Sequence, residues 1–573
     1  MKPSIRAVAA AISLSVMCAA ALTPSQTQTL KGKRTGAAVF ASDCAPCHGD
    51  KGQGGPGFSK PLVGSKSAAD LAKFIHASMP PPGKKLSPAE ANLVADYAYK
   101  AFYGPAAQAK NKAARVELSR LTVKQFQNAL ADLVAPTWGQ FPTVSGGLSA
   151  EYYKGRHFNE GKQIERVDPM IKFDFGTDAP AADKFEHHTF SVVWQGSIFA
   201  PDSGDYEFTL RSDQAARMWI NGSKQPTVDG WVRATTDREF SGSVKLLGGR
   251  AYPVRIEFSK AVQGVDDGKK EKPRVHAFVD LLWRRPKRTA EIIPSRFLYS
   301  QWSPPVFVST TAFPADDRSM GFERGSSVSK EWEDATTAAA LETAGYIANN
   351  IEAVTGVKED DTDRPKKLQE YCAGFVQKAF RRPLTPDQRQ TFVEKQFRLA
   401  GSPGSAVKRV VLLTLLSPRF LYRDSKVSDA YGAASELALG MWDSLPDQEL
   451  LRAAATGELL KEENLRRQAE RMAQHPRAWT KLRDFLLLWL KVEETPEIVK
   501  SKKAYPAFDS AAASDLRTSF ELALEDAAWK KSSLTELLTA KTVFLNDRLA
   551  ALYAKKVTPP PPDTFQPFEL DPE

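Results

Sequence analysis

Cys44-Ala45-Pro46-Cys47-His48 sets two thiols and an imidazole within five residues. Met79 follows 31 residues after His48, at the head of Pro80-Pro81-Pro82. Two thiols at C-x-x-C spacing can add to the two vinyl groups of one haem, and the adjacent histidine then ligates the iron from the proximal side. The same motif could serve zinc or thioredoxin-like redox chemistry. Zinc wants two more soft ligands close by, however, and the next cysteine is Cys372. The motif therefore reads as covalent attachment of one haem c through Cys44 and Cys47, with His48 on the iron. Met79 is the only methionine between Met17 and Met170, and prolines stiffen the loop that would hold it. It is the expected distal ligand. A methionine merely filling the core is the plain alternative, and His76, three residues upstream, is the rival ligand.

The elements around the motif must hold it in place. Gly36, Phe40 and Cys44 recur at helical spacing, so a first helix should end at the haem. Ser87-Pro88-Ala89-Glu90 has the form of a capping box with proline at the first helical position. It should start a later helix carrying Leu93, Val94, Tyr97 and Tyr99. This arrangement resembles the class I cytochrome c fold, in which a glycine and an aromatic of the first helix pack against aromatics of the last. The resemblance covers about Gly36 to Tyr103. It implies an all-α cytochrome c domain at residues 34–104, with Cys44 and Cys47 as thioether positions and His48 and Met79 as axial ligands.

The N-terminus suits that chemistry. Lys2 and Arg6 precede a mostly apolar run from Ala7 to Ala21 that ends in Ala19-Ala20-Ala21. Residues 1–21 read as a secretory signal peptide, too short for a membrane anchor. Periplasmic or cell-surface localisation follows, without integral membrane attachment after cleavage. Removal of Cys18 would leave the two haem thiols and Cys372, and hence no pair for a disulfide. Cys372 lies in an apolar helical run and is expected to be an inert core thiol.

The chain has 573 residues, 42% hydrophobic and 25% charged, with a net charge of +10. Such a length suits several domains. Between Lys31 and Gly104 there are ten Lys/Arg and five Asp/Glu, a local balance of +5. A basic rim would steer an acidic redox partner protein. The lysines are scattered singly, which argues against nucleic acid.

Gly104 to Ala114 reads as a linker, and Leu118-Ser119-Arg120-Leu121-Thr122 then opens an amphipathic helix through Phe126, Leu130 and Leu133. From about Gly147 to Trp283 the pattern changes to alternation: Tyr206, Phe208, Leu210; Val254, Ile256, Phe258; Val275 to Trp283. Turns at Asp202-Ser203-Gly204-Asp205 and Gly248-Gly249 divide it, so an antiparallel β-sandwich is expected. Three stretches, Gly147–Tyr153, Phe199–Tyr206 and Ser212–Gly222, resemble the sandwich of anthrax protective antigen, yeast flocculins and many glycosidases. That resemblance implies a domain at 146–285 that binds glycan or protein. Sugar-binding members grip calcium with an Asp-Asp pair, where this chain has Asp213-Gln214. Calcium prefers charged oxygen ligands. Asp213 is therefore a weakened calcium candidate, with Asp266-Asp267 in a Gly- and Lys-rich loop as a substitute.

Beyond Phe313 the chain is helical again. Phe313-Pro314-Ala315-Asp316-Asp317, Arg381-Arg382-Pro383, Ser417-Pro418-Arg419-Phe420 and Phe544-Leu545-Asn546-Asp547 resemble planctomycete-type cytochrome c proteins, a family without an established activity. The resemblance implies a helical module split by the sandwich (115–134 and 313–356). Helical domains at 365–400, 405–495 and 505–573 would follow, the last incomplete because relatives usually continue. Arg381-Arg382-Pro383 also serves simply to end one helix before Thr385-Pro386-Asp387 caps the next.

No nucleophile elbow, phosphate loop, H-E-x-x-H or second C-x-x-C-H occurs. His187-His188 and His475 lack partners at metal-ligand spacing. The fold class expected is thus multidomain: an all-α cytochrome c domain, an antiparallel β-sandwich, then a mostly α-helical region. The function expected is an exported monohaem electron-transfer protein with a binding sandwich. A redox enzyme or subunit acting on polysaccharide-derived substrates is the alternative, and no catalytic residue is assigned.

Overall fold

In a computed structural model, the chain divides into two compact units, one within residues 13–117 and one within 118–573. The residues described are 34–64, 66–80, 85–104, 107, 119–135, 141–158, 161–232, 237–261, 274–423, 429–492, 500–506, 508–553 and 558–569. Residues 1–21, expected to be a signal peptide, lie outside them, as do Pro81, Pro82 and Asp266-Asp267.

The N-terminal unit is all-α. Helix α1 (Gly36–Val39) runs through a π-helical stretch (Phe40–Cys44) into α2 (Ala45–His48), so the motif closes one continuous helical segment. Helix α3 (Ala68–Ser78) is capped by Ser67, whose side chain accepts from Asp70 N, and it ends at Met79. Helix α4 (Pro88–Ala98) opens on the Ser87/Glu90 capping box and continues into a π-helical stretch (Tyr99–Tyr103). Val39, Phe40, Leu71, Ile75, Leu86, Val94 and Phe102 form its core, with Cys44 and Met79 packed against it.

The second unit begins with α5 (Val123–Val134), capped by a Thr122/Gln125 box. Residues 119–122 are not helical, because Leu121 N donates to the Leu421 carbonyl and Arg120 bridges Tyr422. An antiparallel β-sandwich follows. Strands β1 (Leu148–Lys154), β2 (Lys162–Asp168), β3 (Lys172–Gly176), β4 (Thr189–Ala200), β5 (Gly204–Ser212), β6 (Ala215–Ile220) and β7 (Val228–Gly230) come first. Strands β8 (Glu239–Leu246), β9 (Arg250–Ala261), β10 (Ala277–Arg284), β11 (Glu291–Ile292) and β12 (Leu298–Tyr299) complete it. One sheet has the order β2-β1-β4-β9-β6-β7 with β12 on β4, and the other β11-β10-β5-β8 with β3 on β10. The alternating residues Tyr206, Phe208, Leu210, Val254, Ile256, Phe258, Val279, Leu281 and Trp283 all face the shared core, as period-2 side-chain direction requires. Val275 precedes β10 rather than lying in it.

The rest is mainly helical. Helix α6 spans Lys330–Asn349, α7 Ile351–Thr355, α8 Arg364–Ala379, α9 Pro386–Arg389, α10 Lys395–Leu399, α11 Pro403–Leu415 and α12 Pro418–Leu421. Helix α13 spans Ala430–Trp442, α14 Gln448–Ala455, α15 Glu462–Ala473, α16 Pro476–Trp489, α17 Ser510–Leu524, α18 Leu534–Thr539 and α19 Asp547–Tyr553. A hairpin pairs β13 (Thr542–Leu545) with β14 (Gln566–Glu569). Phe126, Leu130 and Leu133 of α5 share one hydrophobic cluster with Trp332, Ile347, Leu368, Phe375, Val410 and Phe420, although the sandwich separates them in sequence.

Candidate haem site

The C-x-x-C-H motif is held by a helix crossing. A Cβ on Gly36 would stand 2.1 Å from the Leu93 carbonyl oxygen and 3.1 Å from Tyr97 Cβ. Glycine is therefore what lets α1 approach α4 this closely. One turn on, Phe40 meets Tyr97 at 5.4 Å and Phe102 at 5.2 Å between ring centroids, and Tyr97 meets Phe102 edge-on at 6.2 Å. The crossing anchors the segment that ends in Cys44, Cys47 and His48.

Burial, followed by the Asp43 carboxylate and Cys47, pushes the Cys44 thiol up to about 11. Burial lowers the His48 imidazole. Both groups are therefore neutral at neutral pH, and a neutral imidazole is the form that ligates a metal. Among the described residues, His48 Nδ1 is buried with no hydrogen-bond partner, and its ring lies 4.8 Å from that of Phe58. The loop after the motif folds back so tightly that a Cβ on Gly57 would lie 2.6 Å from Cys47 Sγ.

Met79 is half-buried against the same core, its backbone N–H donating to the Ile75 carbonyl. His76 lies on the exposed side of α3, and its Nδ1 pairs with the Leu86 carbonyl oxygen at 3.1 Å. The residues fit the group. Two free thiols flank the end of one helix, an orphaned imidazole nitrogen is buried beside them, and a thioether packs on the same core. Cys372 is elsewhere. It is fully buried in α8, where burial pushes its thiol up to about 12.

Asp213, the calcium candidate, comes just after β5 with both oxygens engaged. Oδ1 accepts from Phe278 N at 2.8 Å and Oδ2 pairs with His276 Nδ1 at 2.6 Å. His276 Nε2 in turn contacts Asp174 at 3.0 Å. Gln214 turns its amide to the His276 carbonyl at 2.7 Å. Among the described residues no group of three or more His, Cys, Asp or Glu is placed to hold a metal ion.

Sequence reasoning missed the charged joints between sandwich and helices. Asp132 of α5 receives Arg250 of β9 at 2.8 Å and both terminal nitrogens of Arg477 at 2.9 Å, together with the Ser444 hydroxyl. Burial raises its carboxyl, but the two guanidiniums outweigh burial and hold it well below the usual carboxylate range. At a second joint Arg483 of α16 donates to Asp202 at 2.7 Å and to the Pro201 carbonyl at 2.8 Å. Arg288 there donates to Glu521 at 2.5 Å. A signal for the first joint was present in α5. Gln125, Asn128 and Asp132 recur at helical spacing beside an apolar stripe, which is unusual for a helix with one solvated face.

His475 caps α16 by accepting from Arg477 N at 3.2 Å and packs against Trp442 and Phe141. Burial and Arg477 push it down to about 3. Arg381, in a left-handed conformation (φ 59°), donates to the carbonyls of Arg419, Phe420 and Tyr422. It closes the end of a neighbouring helix rather than only its own.

Three family models match parts of the chain. Residues 32–97 match "Cytochrome C oxidase, cbb3-type, subunit III", residues 145–295 the PA14 domain, and residues 429–554 a protein family of unknown function, DUF1592. The chain thus carries a cbb3-type cytochrome c domain near its N-terminus, a PA14 β-sandwich and a helical C-terminal region. A cytochrome c domain implies covalently bound haem c and a role in electron transfer. The anti-sigma-I factor RsgI3 of Acetivibrio thermocellus is 29% identical over 166 residues, 29% of this chain and 23% of that protein. Among solved structures, an anti-sigma factor domain-containing protein is 29% identical, covering 28% of this chain and 52% of its own, with a TM-score of 0.23. A PA14 sugar-binding domain from an RTX adhesin is 16% identical, covering 28% of this chain and 99% of its own, with a TM-score of 0.22. The chain thus spans about a quarter of the curated relative and about half of the first of these structures. No helix among the described residues is long and apolar enough to cross a membrane.

Proposed function

We propose that the protein is an exported monohaem c-type cytochrome that passes electrons to and from an acidic redox partner. Its PA14 sandwich binds glycan or protein. The observation that carries this reading is the C-x-x-C-H motif at the end of a helix locked by the Gly36 crossing, inside the segment matched by a cytochrome c family model. Bound haem would supply one-electron exchange at iron. Cys44 and Cys47 would hold it through thioethers, with His48 as proximal ligand and Met79 as distal ligand. His76 suits that role less, because its Nδ1 is already committed to the Leu86 carbonyl and its ring faces solvent. The excess of lysine and arginine between Lys31 and Gly104 would favour docking to an acidic surface.

The leader-like segment at residues 1–21 and the export that haem c attachment requires point to the periplasm or cell surface. The α5 residues buried among later helices favour a sandwich inserted into one helical module of the planctomycete type. With Asp213 already bonded to Phe278 N and His276, the sandwich needs no calcium to satisfy that carboxylate, so strong calcium dependence is not expected.

The test is expression in a host that attaches haem c, with haem staining after denaturing electrophoresis. One covalent haem per chain, lost in Cys44→Ala/Cys47→Ala, supports the reading. A chain that carries no covalent haem in such a host would overturn it.

A further inference from the structure

We propose a second ligand site on the sandwich: a cleft for a neutral glycan on the outer side of the β1/β4 pair, separate from the Asp213 loop. It rests on the reading of the sandwich as a glycan-binding domain and says where on it the sugar sits. The cleft is open to solvent, holds about 160 Å³ and is lined by Ser149, Glu151, Gln195, Ser300 and Trp302, together with Val193 and Gly196.

The cleft is built rather than incidental. Gly196 lies on β4, where a Cβ would stand 2.1 Å from the Tyr299 carbonyl oxygen, so only glycine lets the 298–300 segment close against the strand. The next residue, Ser197, pins residues 301–303. Its hydroxyl accepts from Ser303 N at 2.8 Å and donates to the Gln301 carbonyl at 2.8 Å. The Gln301 side chain is tied in turn by Thr143 N at 2.7 Å. Trp302 sits between these two anchored residues, yet 55% of its surface is exposed. A large aromatic held on both sides by backbone bonds while its ring stays open is a platform that has already given up its freedom. Ordering entropy is among the main costs of binding, and here it is met in advance.

The polar lining has the same character. Ser149 and Gln195 face each other as a cross-strand pair, which sets their Cβ atoms about 5 Å apart. Among the described residues, the side chains of Ser149, Gln195, Ser300 and Trp302 have no hydrogen-bond partner. An amide offers two donors and an acceptor, and each hydroxyl offers both functions. Together they can answer adjacent sugar hydroxyls while the indole covers the apolar face of a ring.

Charge selects against other ligands. Glu151 is already bonded to Tyr153 at 2.5 Å and Lys162 at 2.9 Å, and Lys162 also contacts Glu165 at 2.8 Å. Among the described residues no unpaired cation lines the cleft for a phosphate or uronate, and one indole is too little apolar surface for a protein hot-spot cluster. A neutral pyranose chain is the occupant that matches an open indole, an open amide and two open hydroxyls.

The test uses the full haem-loaded chain. Titration calorimetry against cellohexaose, xylohexaose, mannohexaose and laminarihexaose, with and without EGTA, would be run on wild type, Trp302→Ala, Trp302→Phe, Gln195→Ala and Asp213→Asn, with melting curves confirming the fold. Expected is binding of at least one hexasaccharide that EGTA and Asp213→Asn leave unchanged. Trp302→Ala and Gln195→Ala should each weaken it by about tenfold or more, and Trp302→Phe should restore part of it. Binding that survives Trp302→Ala but is lost in Asp213→Asn or EGTA would overturn the cleft while leaving the glycan reading intact. Absence of binding to every hexasaccharide by wild type would overturn the glycan reading and the cleft with it.

Discussion

Replacing Gly36 with alanine would drive a methyl carbon to 2.1 Å from the Leu93 carbonyl oxygen and 3.1 Å from Tyr97 Cβ. Non-bonded carbon contacts are comfortable at about 3.5–4.0 Å, so α1 and α4 would have to part by about 1 Å or more. The obstacle is backbone, which cannot swing aside as a side-chain tip can. Overpacking of this kind costs about 1–3 kcal/mol. Alanine returns at most about 1 kcal/mol through helix propensity, and less at the first residue of a helix. The net loss should be about 1–2 kcal/mol, and each kcal/mol moves the midpoint of a 60–100-residue domain by about 4–8 °C. Thermal melting monitored at the haem band should therefore drop by about 5–15 °C in Gly36→Ala. Gly345 provides the comparison, since a Cβ there meets nothing within 4 Å. Gly345→Ala should leave the haem melt unchanged and stabilise the helical region by up to about 1 kcal/mol. A Gly36→Ala protein that melts at or above wild type would refute the crossing as the element that holds the motif.

Asp132→Ala leaves Arg250 and Arg477 without their buried partner, and by circular dichroism it should cost about 3–5 kcal/mol. Asp132 and Asp202 both titrate below the usual carboxylate range when folded. Their contribution is therefore complete above the ordinary aspartate value of about 3.9 and is lost as pH falls through the lower folded values. Melting temperature should hold from neutral pH down to about 5 and fall below about 4, less steeply in Asp132→Ala. Calcium titration of wild type should give no heat at micromolar ion, whereas Gln214→Asp, which adds a carboxylate beside Asp213, should bind more tightly. Cys372, with its thiol pushed up to about 12 and fully buried, should resist thiol reagents until the protein unfolds.

The parts of this molecule legible in the sequence were those where local pattern and chemistry coincide. The Ser87 capping box, the alternation of Tyr206, Phe208 and Leu210, and the C-x-x-C-H run each carry their signal within a few residues, and each is where the pattern places it. The fold class came from them. The long-range joints were not legible, because Asp132, Arg250 and Arg477 are separated by more than a hundred residues at each step and nothing local marks them as partners. The start of α5 was misplaced by a few residues for the same reason: Leu121 is drawn into a pairing with Leu421, three hundred residues away. The cleft beside Trp302 was equally hidden, since it depends on a β12 segment folding back onto β4. At Asp213 the missing carboxylate was visible from the sequence, but the capture of its oxygens by Phe278 N and His276 was not.

On the proposed function, Cys44, Cys47, His48 and Met79 together hold a redox-active haem. The most direct test is a spectroscopic redox titration of the purified haem-loaded protein beside Met79→Ala and His76→Ala. Wild type should titrate reversibly as one low-spin haem and show the sulfur-to-iron band at the red end of the visible spectrum. Met79→Ala should lose that band and move to a lower potential, while His76→Ala should keep both. A band and potential unchanged in Met79→Ala but altered in His76→Ala would contradict the assigned ligand pair.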